Sequence, residues 1–280
     1  MVGPTIGTID IVADESIKYL VEQEENVFEM TYKYATVNIS YMTESDMMQK
    51  FMTDSTRAIM STRPLTAEEV KFFEQKKSFP RQTVFATSAL AFLVNNNVPD
   101  TAIQYEELIS MFRDETKGKI FVIENAKSGI SNEVMRLINT TSLPSHFYAL
   151  NSKNEVIEYL QQHENAIGIV DWSDISDSDN KEAKELLGKT ELVAISRPLD
   201  SIQHGFVRPY QYNLQDRKYP FTRDLYIITS TGKTDVSTGF ASFVAGEIGQ
   251  KIILKSGLLP IYQNERIIEI RNTADIKVIK

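Results

Sequence analysis

The chain has 280 residues, 42% hydrophobic and 24% charged, with no cysteine and a formal net charge of −8. These values exclude wholesale disorder and a polytopic membrane protein, and the missing cysteine excludes disulfides, thiol nucleophiles, iron–sulfur centres and Cys-based zinc sites. The acidic balance argues against a nucleic-acid partner, and any anionic ligand must be captured by local geometry against a repelling global field. At roughly 100–200 residues per domain, the length predicts two lobes. Residues 1–20 carry Asp10, Asp14 and Glu15 and lack a signal-peptide core. No apolar run is long enough to span a bilayer. The start Met1-Val2-Gly3-Pro4 reads as that of a trimmed chain, compatible with a removed export signal.

Short apolar runs alternate with helical periodicity, the pattern of an α/β sheet protein. Thr8 to Ala13 reads as a strand that runs into Asp14-Glu15-Ser16, where short polar side chains cap a helix carrying Ile17, Leu20, Val21, Val27 and Phe28. Val37, Ile39 and Tyr41 alternate as a second strand, and a Met-rich segment near 44–54 is predicted helical. Arg57 to Met60 is a third strand, ending at Ser61-Thr62-Arg63-Pro64-Leu65 before a capping box, Thr66 to Glu69. Thr83 to Asn95 is a β-favouring run longer than usual, long enough to pass between lobes. Then follow a helix near 104–112, a strand 119–124, a turn at Lys127-Ser128-Gly129 into a helix to about 139, and a strand 146–150. A helix from Ser152 (Ser152 and Glu155 form a second capping-box pattern) and strands 166–172 and 192–197 come next. A second long β segment, Tyr219 to Ser230, precedes one strong helix with Phe240, Phe243, Val244, Ile248 and Ile252, closed by Gly257 at a C′ position. The most economical division is discontinuous: residues 1–92 and 224–280 form lobe I, and 93–223 form lobe II.

Three places share one design, in which a strand ends, small polar residues follow and a helix starts: Asp14-Glu15-Ser16, Ser61-Thr62-Arg63-Pro64 and Ser128-Gly129-Ile130-Ser131. Open α/β sheets bind ligands at the carboxyl ends of their strands, and a helix N-terminus presents unpaired N–H donors and partial positive charge to an oxyanion. The hydroxyls of Ser16, Ser61, Thr62, Ser128 and Ser131 add donors, and Arg63 adds a bidentate fork. The same residues read equally as plain helix caps.

The string Arg57 to Leu65, followed by an acidic helix, resembles a region of phosphate ABC-transporter substrate-binding proteins. So do Val84 to Asn95, Tyr105 to Phe112, Tyr219 to Tyr226, Gly239 to Val244 and Gly249 to Pro260, and the resemblance spans about 7–271. It implies an α/β, two-lobed type 2 periplasmic-binding-protein fold, with lobes joined by two crossover strands and the ligand cleft between them. It also implies a ligand site at Asp14, Glu15, Ser16, Ser61, Thr62, Arg63, Ser128, Gly129, Ile130 and Ser131, with no catalytic residue, metal or cofactor. The third loop departs from the family pattern. The position of the family's Arg is Glu124 and that of its Thr is Ile130, with Ser131 or Asn132 as stand-ins. The first loop adds carboxylates, so the cleft is expected to select a protonated oxyanion or a ligand other than phosphate.

The function implied is capture of inorganic phosphate or a related oxyanion by hinge closure and delivery to an ABC transporter permease. The protein is then a periplasmic or otherwise extracytoplasmic monomer, with a lipid anchor in the full-length protein. A sensor or scaffold of the same fold, or an enzyme acting on phosphoesters with Asp14 or Glu15 as base, is the alternative. Other motifs are read structurally. Ser230-Thr231-Gly232-Lys233-Thr234 lacks the first glycine of a P-loop, and His146, His163 and His204 lack metal-ligand spacing. Trp172 and the cluster Met42, Met47, Met48 and Met52 are expected in the core.

Overall fold

A computed structural model describes residues 3–53, 56–99, 101–198, 205–230 and 234–262. In chain order the strands are β1 (Ile6–Asp14), β2 (Tyr34–Met42), β3 (Ala58–Ser61), β4 (Arg81–Asn95), β5 (Ala102–Ile103), β6 (Ile120–Glu124) and β7 (Phe147–Leu150). They continue with β8 (Ala166–Asp171), β9 (Thr190–Leu192), β10 (Ala194–Ser196), β11 (Phe206–Val207), β12 (Thr222–Thr229) and β13 (Leu259–Pro260). The helices are α1 (Lys18–Thr31), α2 (Glu44–Met52), α3 (Ala67–Gln75), α4 (Tyr105–Arg113) and α5 (Gly129–Ile138). After these come α6 (Lys153–Gln162), α7 (Lys181–Lys189), α8 (Gln211–Gln215), α9 (Val236–Val244) and α10 (Glu247–Lys255).

The main sheet runs β2-β1-β3-β12-β4-β8-β6-β7, with β13 and β9 also paired to β4. Its two halves are built around the length of β4. Arg81 to Ala89 pair antiparallel with β12, whereas Leu90 to Leu93 pair with β8 and Leu93 to Asn95 with β9. A 15-residue strand reaches roughly 50 Å, enough to serve two packing units. The return passage is fastened to it: Leu90 N–H donates to the Phe221 carbonyl at 2.9 Å, and the Tyr219 hydroxyl donates to the Leu90 carbonyl at 2.7 Å.

Periodicity and caps explain the elements. β12 alternates from Thr222, with Arg223, Leu225 and Ile227 inward. Thr66 and Glu69 close the expected capping box in both directions. At α6 only half of the expected box forms: Ser152 accepts the Glu155 N–H, but the Glu155 carboxylate bonds the Asn151 N–H instead. The helix read as continuous from Phe240 to Ile252 is two helices, broken at an extended Gly246 (φ −88°, ψ 178°). A Cβ there would lie 2.8 Å from the Ser242 carbonyl oxygen, so the close turn requires glycine. The strand read over 192–197 is likewise two, β9 and β10, pairing with β4 and β5. Gly257 takes φ +83° after α10, as a C′ glycine does.

The larger core fills both halves, and a smaller one of Val12, Met47, Met48, Phe51, Ile59, Leu65, Phe73 and Ile228 lies under α2 and α3. Met47 and Met48 are buried within it, with Met42 and Met52 packed at its edge. Trp172 is buried and donates to the Gly257 carbonyl. His204, Thr231, Gly232, Lys233 and residues 263–271 of the resembling stretch lie outside the described residues.

Candidate functional site

β1, β2 and β3 run parallel in one half of the sheet, as do β6 and β8 in the other. Each ends in polar residues that cap the next helix or turn. Asp14 caps the 3-10 turn Glu15–Ile17, Thr43 caps α2, Ser128 caps α5, and Asp171 caps the 3-10 turn Trp172–Asp174. The carboxyl ends of both halves therefore face one another, the usual place for a ligand in this class of sheet.

The three sequence-predicted loops meet at Gly129. A Cβ built there would lie 2.8 Å from Thr62 Oγ1, 3.0 Å from Glu44 Oε2 and 3.1 Å from Asp14 Oδ2. Thr62 donates to Asp14 Oδ2 at 3.3 Å, and Ser16 donates to Asp14 Oδ1 through both its N–H (2.9 Å) and its hydroxyl (2.8 Å). Ser128 Oγ accepts the Ser131 N–H, and Ser131 Oγ donates to the Asn125 carbonyl. Asn125 Nδ2 in turn donates to Glu15 Oε1 at 3.1 Å, joining the two halves. The first N–H groups of α5, those of Gly129 and Ile130, have no intrahelical acceptor. A cavity of about 10 Å³, the room of one water, lies beside them. It is lined by Glu15, Ser16, Glu124, Ser128, Ile130, Ile169, Val170 and Asp174.

The cations stand differently from the sequence expectation. Arg63 donates to Glu69 Oε1 and Oε2 at 2.8 Å each, to Glu44 Oε1 at 2.8 Å and to the Pro64 carbonyl. Its fork is thus closed on protein carboxylates, and Ser61 Oγ accepts the Arg63 N–H to hold the turn. Burial works against the Arg63 charge, but the Glu69 hydrogen bonds and the Glu44 charge outweigh it and hold the guanidinium firmly protonated. The guanidinium that reaches the first loop belongs to Arg223, which pairs with Asp171 and donates to Ser16 Oγ at 3.1 Å. Asp171 also accepts from Ser88 Oγ (2.7 Å), Ser173 N–H (2.8 Å) and Ser173 Oγ.

Carboxylates outnumber these cations. Burial pushes Asp14 up to about 6, with the nearby Glu44 charge adding to the rise and Arg223 and Ser16 opposing it. Burial pushes Asp174 up to about 7 despite its 2.5 Å contact with Lys153 Nζ. Glu124 is also raised by burial, with Lys153 opposing and Glu15 and Glu182 adding. The arrangement can hold an oxyanion by N–H and hydroxyl donors, and it favours one that brings protons. Among the described residues no group of three or more His, Asp or Glu could hold a metal.

Sequence reasoning missed Glu44, Asp171 and Arg223, whereas Asn132, read as a stand-in donor of the third loop, donates to Glu44 Oε1. Thr43-Glu44-Ser45-Asp46 repeats the strand, polar residue and helix design, and Arg223 falls on the inward phase of β12, so both had a legible signal. Asp171 had none beyond a position near a turn start.

A curated protein described as the phosphate-binding protein PstS of Borreliella burgdorferi is 24% identical over 221 residues, 72% of this chain and 71% of that protein. Among solved structures, a putative phosphate ABC transporter substrate-binding protein from Clostridium perfringens, with bound phosphate, aligns at a TM-score of 0.72 with 16% identity. That alignment covers 91% of this chain and all (100%) of that one. An ABC-type phosphate transport receptor from Vibrio cholerae aligns at 0.69 with 14% identity, over 91% of this chain and 100% of that one. The fold is the two-lobed α/β fold of these structures. The PBP superfamily domain matches residues 2–247, most of the length, and the chain belongs to that family.

Proposed function

We propose that this protein is an extracytoplasmic solute-binding protein that captures phosphate between its lobes and hands it to an ABC importer permease. Lobe I is 1–92 with 224–280 and lobe II is 93–223, and β4 and the passage through Tyr219 to Arg223 are the crossovers about which they move. The observation that carries this reading is the convergence of Thr62, Glu44 and Asp14, the last held by Ser16, on the α5 N-terminus at Gly129, from both halves of the sheet. The relatives named above, described as phosphate-binding or phosphate-transport proteins, support the choice of ligand.

In this reading the Gly129 and Ile130 N–H groups and the Ser128 hydroxyl donate to the anion, the hydroxyls of Ser16, Thr62 and Ser131 turn to it from Asp14 and the Asn125 carbonyl, and Asp14 accepts a hydrogen bond from a ligand P–OH. Glu15 and Ser61 hold the loop geometry, and Arg63 acts through Glu44. No bond is made or broken, and the protein works as a monomer. Among the described residues no helix is long and apolar enough to cross a membrane.

The test is a thermal-shift and calorimetric screen against phosphate, sulfate, molybdate and organic phosphates. Phosphate raises the unfolding temperature through mass action on the native state. Sulfate, which carries no proton at neutral pH, does so far less. Equal response to phosphate and sulfate overturns the role of Asp14, and no response to phosphate overturns the ligand.

A further inference from the structure

Glu44 lies outside the three loops that the sequence singles out, in a loop of the same design between β2 and α2. It is 2% exposed. Its Oε1 accepts from Arg63 Nε at 2.8 Å and from Asn132 Nδ2 at 3.0 Å. Its Oε2 is buried and has no hydrogen-bond partner among the described residues. That oxygen and Asp14 Oδ2 lie 3.0 and 3.1 Å from the point where a Gly129 Cβ would stand. Two carboxylate oxygens therefore converge on the start of α5, one of them with nothing to accept. The charged groups that bear on Glu44 are Arg63 from the loop after β3, Asp14 at the end of β1 and Arg223 in β12, with Glu69 of α3 behind Arg63. α5 contributes the neutral Asn132.

A buried acceptor of this kind is satisfied only by a donor, and two of them side by side repel an anion that brings fewer than two protons. Dibasic phosphate brings one proton and sulfate none. We propose that Glu44 and Asp14 form a paired acceptor that selects the monoanion of phosphate, H2PO4−, with one P–OH donating to each carboxylate. The two unprotonated oxygens of the anion then take the N–H groups at the start of α5. This rests on the phosphate-binding reading and adds a second specificity-determining residue to it.

Calorimetry of the full chain with inorganic phosphate at pH 6.5, 7.5 and 8.5, in the wild type and in Glu44→Gln, tests the pairing. Gln keeps an oxygen for Arg63 and Asn132 and replaces the free Oε2 with an amide donor. Wild-type affinity should fall about tenfold per pH unit once the free anion is mainly dibasic, because each binding event then takes up a proton. Glu44→Gln should bind at least tenfold more weakly at pH 6.5 and lose most of that slope. A flat wild-type profile, or a variant with the wild-type profile, overturns the paired acceptor while leaving phosphate binding intact. Methylphosphonate, whose monoanion has a single P–OH, gives a reading independent of any variant. It should bind wild type at least tenfold more weakly than phosphate at pH 6.5, and equal affinity overturns the pairing. Absence of phosphate binding at every pH removes the underlying reading and this assignment with it.

Discussion

Two arginines, one buried and one half-buried, stand near the site, and their surroundings differ in kind. Arg223 projects inward from the start of β12 and is matched by one fully buried carboxylate, Asp171, with the Ser16 hydroxyl completing its shell. Arg63 sits in a loop at the edge, with 11% of its side chain exposed, and is clamped between two glutamates from two helices. The first links three segments that are distant in sequence, Ser16, Asp171 and Arg223, and so belongs to the frame of the cleft. The second orients Glu44 and so, in the proposed site, acts on a ligand at one remove. An arginine after a strand end is thus not evidence of an anion fork until its carboxylate neighbours are known.

The largest effect that would break or sharpen this contrast is at Arg223. Arg223→Ala leaves Asp171 buried without its cation and should cost about 3–5 kcal/mol in denaturant unfolding. A loss no greater than that of Arg63→Ala would erase the distinction. Next is the pH dependence of the unliganded protein, which follows Asp14 beside Arg223. Its carboxyl is raised from 3.8 to about 6 by burial, so the folded state holds a proton that the unfolded state has lost. That contribution is complete below pH 3.8 and disappears as pH rises through about 6, of the order of 3 kcal/mol at about 1.4 kcal/mol per unit. Asp174 and Glu24, raised by burial to about 7 and about 8, extend the same downward trend to higher pH. Thermal unfolding from pH 4 to 8.5 should therefore show stability falling with pH. Asp14→Asn should flatten its lower part, and an unchanged profile would remove Asp14 as the source.

Arg63→Ala is smaller in stability, about 1–2 kcal/mol, because the site is partly solvated. It should still weaken phosphate binding at least tenfold by releasing Glu44. Unchanged affinity in calorimetry would separate Arg63 from the site. The smallest stability change is expected for Gly129→Ala, about 1 kcal/mol or less, since the added methyl meets three oxygens that can part slightly. Its phosphate affinity should nonetheless fall at least tenfold, and wild-type affinity would show that the loops do not close on that residue.

Much of this was readable beforehand. The strands β1, β3 and β6, the long β4, the caps at Asp14, Thr66 and Ser128 and the glycine stop at 257 follow from alternation and cap chemistry, which act within a few residues. The breaks at Gly246 and between β9 and β10 were not readable, because each is set by a partner far away in sequence. The Ser152 box failed in part for a nearer reason: Asn151 offered Glu155 a competing N–H.

The candidate site divides along the same line. The serines, threonines and glycine at strand ends announce donors, because cap chemistry and anion chemistry use the same groups. The acidic net charge announces that the donors work against a repelling field. Which carboxylates enter the cleft, and which cations they neutralise, was decided only when the two halves of the sheet faced each other. Ion pairing depends on distances of a few ångströms in a low-dielectric interior, and no local pattern encodes them. By itself the sequence determined the two-lobed α/β fold and the small polar residues at the strand ends. The tertiary structure alone decided that Arg63 is spent on Glu44 and Glu69, that Arg223 holds Asp171, and that one oxygen of Glu44 is left to accept.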